Sequence, residues 1–279
     1  GDRAHFLGQL GSPSQPAALQ DGAPLDGCVG AGLNPCGALQ TTVELPPGTQ
    51  LDLTFLLGEG SEVGAAQALV TRYRNIDVDA VLAEVTTLWN DLLDTVQVKT
   101  PELGMDLLLN DWALYQVAAC RLWARTAYYQ ASGAYGFRDQ LQDVMALCVS
   151  RPDLAREHLL RAAGRQFSEG DVQHWWLPPK GQGIRTKIRD DRVWLVYVAM
   201  HYIDVSGDRA VLDEMLPFLK GQAIPDGATD AFFQPDISDE TATVYEHCAR
   251  AIDSSLTRGA HGLPLIGTGD WNDGMNAVG

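Results

Sequence analysis

The hydrophobic pattern of this 279-residue chain changes period near residue 76, and that change limits the folds open to it. Before it, Gly and Pro are frequent and long helical patterns are scarce. In TTVELPPGTQLDLTFLLGEG (41–60), Leu51, Leu53 and Phe55 alternate with Asp52 and Thr54 beyond a Pro-Pro-Gly turn, which predicts two strands of a half-buried sheet. Residues 11–40 carry clusters of Gly, Pro and Ser and read as loop. An isolated hairpin is marginal in water, so region 1–74 reads as the C-terminal part of a β-domain.

After the change the period is helical. NIDVDAVLAEVTTLWNDLLDTV (75–96) sets Val81, Leu82, Val85, Leu88, Trp89 and Leu92 close to one face, a helix suited to link two domains over 75–100. In LGMDLLLNDWALYQVAACRLWART (103–126), Leu108, Trp112, Tyr115, Ala119 and Leu122 recur at helical spacing. RPDLAREHLLRAAGRQF places Pro152 at a helix start, where its missing N–H is harmless. DRVWLVYVAMHYIDVSG (191–207) is nearly apolar all round and reads as a buried helix. Asp208 is a candidate cap for a helix through RAVLDEMLPFLK, and SDETATVYEHCARAIDSSL (238–256) reads as another. Between them run long loops at 127–138, 170–190, 221–237 and 257–279. Such loops are uncommon in a compact domain without a function, so the rhythm is that of a helical toroid with a site at one end.

The net charge of −16 argues against nucleic acid, which is bound with an excess of Lys and Arg. It suits a neutral sugar, or a small anion where a few arginines are focused. No run of 18 apolar residues is present, so no membrane contact is expected of this segment. The five cysteines lack zinc spacing and read as reduced thiols of a cytoplasmic protein.

Three stretches carry chemistry. ASGAYGFRDQLQDVMAL (131–147) crowds Arg138 and Asp139 at a helix start, either as a capped N-terminus or as a polar wall for sugar hydroxyls. GDVQHWWLPPKGQGIRTKIRDD (170–191) holds His174, Trp175 and Trp176. The tryptophans are either a stacking wall for the C–H face of a sugar or a plug buried in the core. Arg185 with Asp190 and Asp191 offers donors and acceptors for vicinal hydroxyls, or a surface ion pair. His174 has no further ligands at metal spacing, so no metal is expected. GTGDWNDGMNAVG ends the chain. Asp270 and Asp273 are too close in sequence to face each other across a scissile bond, so one is read as a proton donor and the other as shaping the turn. Trp271 can raise a neighbouring carboxyl's pKa by excluding water. The plainer alternative is an Asx-rich turn.

Together GAYGFRDQLQD, DVQHWW-PP-GQG-RT--RDD and GLPLIGTGDWNDGMN resemble glycoside hydrolase family 94, the inverting glycoside phosphorylases. With GCVGAGLNPCGALQ, LTFLLGEG and LLNDWALYQVAACRLWARTAYYQ, the likeness extends over nearly the whole chain. It is to the branch holding the C-terminal region of cyclic β-1,2-glucan synthases and the 1,2-β-oligoglucan phosphorylases. The resemblance implies a mainly α chain: the end of a β-sandwich domain (1–74), a helical linker (75–100) and the first half of an (α/α)6 barrel (101–279). It implies that Asp273 is the general acid and that Arg185, Asp191 and Trp271 line the donor-sugar subsite.

The activity it implies is phosphorolysis of β-linked glucans, β-1,2-glucooligosaccharides above all, to α-glucose 1-phosphate. Inorganic phosphate is the co-substrate, and no other cofactor is expected. The chain is expected to be an internal piece of a longer protein, cytoplasmic or on the cytoplasmic face of a membrane-anchored parent, with a homodimer open to the full-length protein. Its phosphate-gripping residues, a His and a Thr-Gly pair in relatives, are expected beyond residue 279. An inverting hydrolase and a noncatalytic carbohydrate-binding module are the alternatives.

Overall fold

The computed structural model describes residues 1–20, 22, 24–126 and 132–269. The chain divides into two compact units, Gly1–Ile76 and Asp77–Gly279.

The first unit has little regular structure. Asp2 caps a short helix, α1 (Arg3–Leu7), by accepting from the Ala4 N–H at 3.0 Å. A 3₁₀ turn follows at Ala17–Leu19. The Pro-Pro-Gly turn forms as the sequence suggests: the Thr49 N–H and hydroxyl both donate to the Pro46 carbonyl, and Gly48 takes the left-handed backbone the turn needs (φ 78°). The two strands expected around it do not form a ladder among the described residues. Period-two alternation specifies a strand only when a neighbour supplies the ladder, and here Leu51, Leu53 and Phe55 remain exposed. A second helix, α2 (Val63–Tyr73), lies where the Gly- and Pro-rich composition masked a helical stretch.

The second unit opens with α3 (Val78–Leu93), capped by the Asp77 carboxylate on the Asp79 and Ala80 N–H groups. Only part of its apolar face is used. Leu92 is buried and Trp89 packs on Tyr115 and Trp123, whereas Leu82, Val85 and Leu88 are exposed. The helix over 103–126 runs as α4 (Leu103–Leu107), a wide π turn, α5 (Ala113–Tyr115) and a second π segment to Trp123. Asn110 ties it to the preceding segment by bonding both the N–H and the C=O of Val98.

The remainder combines helices with two small antiparallel sheets. β1 (Tyr135–Gly136) leads directly into α6 (Phe137–Met145), and α7 (Pro152–Ala163) follows with Pro152 at its first position. The stretch read as a loop over 170–190 is a hairpin of β2 (Gln173–Leu177) and β3 (Gln182–Thr186). α8 (Asp190–Ser206) ends at Gly207, whose φ of 75° closes the helix with its N–H on the Ile203 carbonyl. This helix is not buried all round. Leu195, Val198, Ala199 and Tyr202 face the core, and Tyr197 and Met200 face outward.

The helix expected after Asp208 is a short 3₁₀ turn (Arg209–Asp213) and then a strand, β4 (Met215–Lys220). Pro217 has no N–H to give a helix and sits beside a bulge in the strand, where a ladder tolerates it. Asp208 does not cap this turn. Its carboxylate takes bonds from Arg156 and Tyr202 instead. β5 (Asp230–Phe233) completes a sheet ordered β1-β2-β3-β5, and β6 (Asp236–Thr243) pairs with β4. The helix read over 238–256 is thus half strand: α9 (Val244–Asp253) begins where the Thr243 hydroxyl accepts from the Glu246 N–H.

α6, α7, α8 and α9 pack around one core that includes Phe137, Leu141, Val144, Leu159, Leu195, Val198 and Trp176. All five cysteines are unpaired. Among the described residues no helix is long and apolar enough to cross a membrane. Phe137, fully buried at the start of α6, is expected to cost about 3–5 kcal/mol when cut to alanine. Leu82→Ala, on the exposed face of α3, is expected to stay within about 0.5 kcal/mol. Urea unfolding of the two variants checks this, and equal losses would contradict the assigned core.

Candidate active-site cleft

Two of the three chemistry-bearing stretches meet in one cleft of about 290 Å³ in the second unit. The β1–α6 junction brings Gly136, Arg138 and Asp139 to it. β2 brings His174 and Trp175, and the first turn of α8 brings Asp191. Gly136 allows the junction to close tightly, since a Cβ there would lie 2.6 Å from Asp139 Oδ2.

Neighbouring residues of a strand normally face opposite sides of a sheet. His174 and Trp175 share the cleft because the β2–β3 register shifts between Gln173 and Trp175, a bulge that turns both side chains to one side. Trp176 then points the other way. It is 1% exposed and packs on Tyr135 and Phe137, with the Arg165 guanidinium over its ring. Of the two expected stacking tryptophans, only Trp175 reaches the cleft; Trp176 is the plug.

Asp191 is fully buried. Its Oδ2 lies 2.7 Å from His174 Nδ1, while its buried Oδ1 has no hydrogen-bond partner among the described residues. Burial pushes its pKa above the ordinary carboxylate value, against the pull of the His174 hydrogen bond. A buried carboxylate oxygen without a donor in the wall of a cleft calls for an explanation.

Beside it, Arg138 Nη1 donates to Asp190 Oδ2 at 2.9 Å, and Arg138 Nε stands 4.0 Å from Asp139 Oδ1. Arg121 extends the chain of charges, reaching Asp143 at 2.9 Å and Asp139 at 4.0 Å. Arg138 and Asp139 therefore form a charged rim in addition to starting a helix.

The structure does not bring Arg185 into this cleft. On β3 its guanidinium takes both oxygens of Asp171, at 2.6 and 2.7 Å, and also Glu169 and the Gln222 carbonyl. It lies over the Phe167 ring in a second recess. Asp171 carried no signal in the sequence, because its link to Arg185 spans a hairpin that was read as loop. Trp271 and Asp273, with Asp270, lie outside the described residues. Among those described, no group of three or more His, Cys, Asp or Glu side chains could hold a metal.

The chain belongs to the glycosyl hydrolase 94 superfamily: the catalytic-domain model of that family matches residues 88–279, and its supersandwich-domain model matches residues 1–76. The cyclic beta-(1,2)-glucan synthase NdvB of Rhizobium meliloti is 46% identical over 278 residues, which is 99% of this chain and 10% of that protein. The solabiose phosphorylase of Paenibacillus borealis is 31% identical over all of this chain and 33% of its own length. The N,N'-diacetylchitobiose phosphorylase of Vibrio proteolyticus is 26% identical over all of this chain and 36% of its own length. This chain thus spans between a tenth and about a third of these relatives.

The Arg121–Asp143 pair behind the rim yields a prediction in pH. Burial, opposed by Arg121, raises Asp143 from the ordinary 3.8 to about 6. Between those values the folded state holds a proton that the unfolded state has lost. The group's contribution is therefore complete below about 3.8 and disappears as pH rises through 6. Asp143→Asn, which cannot ionise, is expected to gain stability relative to the parent chain as pH rises from 4 to 7, read as urea midpoints at each pH. A gap that is constant or narrows the other way would contradict the assignment.

Proposed function

We propose that this chain supplies the donor-sugar wall of an inverting glycoside phosphorylase acting on β-linked glucans, with β-1,2-glucooligosaccharides as the substrate. The observation that carries the reading is the unpartnered Oδ1 of buried Asp191 in the wall of the cleft that Trp175 also lines. An aromatic face and a carboxylate acceptor are the two elements that hold a pyranose, one for its C–H surface and one for its hydroxyls. Arg138 and Asp139 bind further hydroxyls at the rim. Trp176 and Arg185 act from behind, one as packing under β2 and the other by fixing β3 to Asp171. Family membership and the names of the relatives support a phosphorylase, and the name of the glucan synthase supports the β-1,2 linkage.

In this reaction an oxygen of inorganic phosphate attacks the anomeric carbon from the face opposite the leaving saccharide. The bond from C1 to the glycosidic oxygen breaks, the C1–O–P bond forms, and configuration inverts to α-glucose 1-phosphate. Asp273 gives its proton to the departing oxygen, and Trp271 lies along the donor sugar. Phosphate is itself the nucleophile, so no second carboxylate is needed to activate water, as an inverting hydrolase requires. No cofactor takes part. The helices of the second unit form the first half of an (α/α)6 barrel in this reading, and the complete protein works in the cytoplasm or on the cytoplasmic face of a membrane.

The test uses the chain with its flanking sequence restored. Release of α-glucose 1-phosphate from β-1,2-glucooligosaccharides in phosphate is expected. Asp273→Asn is expected to lower kcat by at least about 10²–10⁴-fold. Asp191→Asn is expected to lower kcat/KM by about 10- to 150-fold, the worth of a hydrogen bond to a charged group. Free glucose released at equal rate without phosphate would select a hydrolase. Saturable oligosaccharide binding with no turnover would select a binding module.

A further inference from the structure

The aromatic wall of the cleft continues along the sheet. Trp175 of β2 lies opposite Ile184 of β3, and Ile184 lies opposite Phe232 of β5. Residues directly opposite on neighbouring strands share a face, so all three stand on the face that Trp175 turns to the cleft. Strands two apart are separated by roughly 9.5 Å. The rings of Trp175 and Phe232 nonetheless meet, with centroids 5.6 Å apart and planes inclined by 42°, so they lean toward each other across Ile184. Phe233, one residue on, faces the other way and packs on Phe167.

Phe232 is 52% exposed on β5, an edge strand of the sheet among the described residues. A single exposed apolar side chain needs no explanation. This one is joined to the indole that lines the cleft, so an unbroken aromatic surface runs from the cleft to the sheet edge. The rows of the sheet on either side of it are partly polar. Leu177 is paired with Gln182 on one side, and exposed Asp230 is paired with Thr186 on the other. Apolar rings for C–H faces, with amide and carboxylate partners for hydroxyls beside them, are the composition that a saccharide requires.

We propose that Phe232 is a second sugar-binding surface, which holds the saccharide next to the donor glucose on the leaving side of the bond that is cleaved. The proposal rests on the reading of the cleft as a donor-sugar site. With the donor ring on Trp175, the rest of the oligosaccharide leads out of the cleft, and Phe232 is the adjoining aromatic face. A sugar laid on its exposed ring takes apolar surface of both partners out of water. Gln182 and Asp230 bind hydroxyls at the two sides of the shelf.

The experiment runs the reaction in the synthetic direction, in the protein with its flanking sequence restored. There α-glucose 1-phosphate gives its glucosyl group to a β-1,2-glucooligosaccharide, the acceptor hydroxyl passes its proton to Asp273, and inorganic phosphate leaves. Phe232→Ala is expected to raise KM for the acceptor about three- to tenfold, the worth of one aromatic contact, and to leave KM for α-glucose 1-phosphate unchanged. Phe232→Tyr is expected to keep both constants near those of the parent. If Phe232 only propped Trp175, both constants would rise together in Phe232→Ala. That result would overturn the proposal, as would an acceptor KM that does not move. Titration calorimetry with the same oligosaccharide and no phosphate gives a readout free of turnover, and there Phe232→Ala is expected to weaken binding by the same factor. Such weakening in a protein that shows no phosphorolysis would keep this subsite and overturn the phosphorylase reading. Phosphorolysis with oligosaccharide binding indifferent to Phe232 would keep that reading and overturn the subsite.

Discussion

The contact between Asp191 Oδ2 and His174 Nδ1, 2.7 Å long, joins the first turn of α8 to the β2–β3 hairpin, and the cleft takes its shape from it. A carboxylate with no solvent exposure needs compensation. His174 gives part of it, and the N-terminal end of α8 adds the favourable field of the helix dipole. His174 can do so only because the bulge in β2 turns it to the same side as Trp175. That bulge in turn leaves Trp176 to fill the core against Tyr135 and Phe137. One irregularity in one strand thereby sets the cleft-facing indole, the buried acid and the packing beneath them.

Much of the helical part could be read from residue types. Pro152 at a helix start and Gly207 at a helix end mark the boundaries of α7 and α8 by backbone preferences that hold in almost any context. The change of period near residue 76 coincides with the division between the compact units. The misreadings share a cause. Met215–Lys220 and Asp236–Thr243 are strands because each supplies the other's ladder, and a pairing between segments this far apart leaves no local periodicity to detect. The hairpin at 173–186 was hidden in the same way. Conversely, Leu51, Leu53 and Phe55 have the alternation but no ladder among the described residues.

The candidate site was legible in kind more than in arrangement. Arg138, Asp139, Trp175 and Asp191 were marked by residue type and do converge. Trp176 carried the same signal as its neighbour, and only the direction of each indole separates wall from plug. Arg185 was read together with Asp190 and Asp191 because they lie in one stretch, and the family resemblance set Arg185 and Asp191 in one subsite. The fold instead places them in the walls of two different recesses, Arg185 spent on Asp171 and Asp191 buried against His174.

The account depends most on the unpartnered Oδ1 of Asp191 being a sugar acceptor. A crystal structure of the protein with its flanking sequence restored, soaked with glucose, tests this directly. The account predicts a glucose hydroxyl at about 2.5–3.0 Å from Asp191 Oδ1 with the ring lying on Trp175. A glucose bound elsewhere, with Asp191 Oδ1 still lacking any contact to it, would contradict the account.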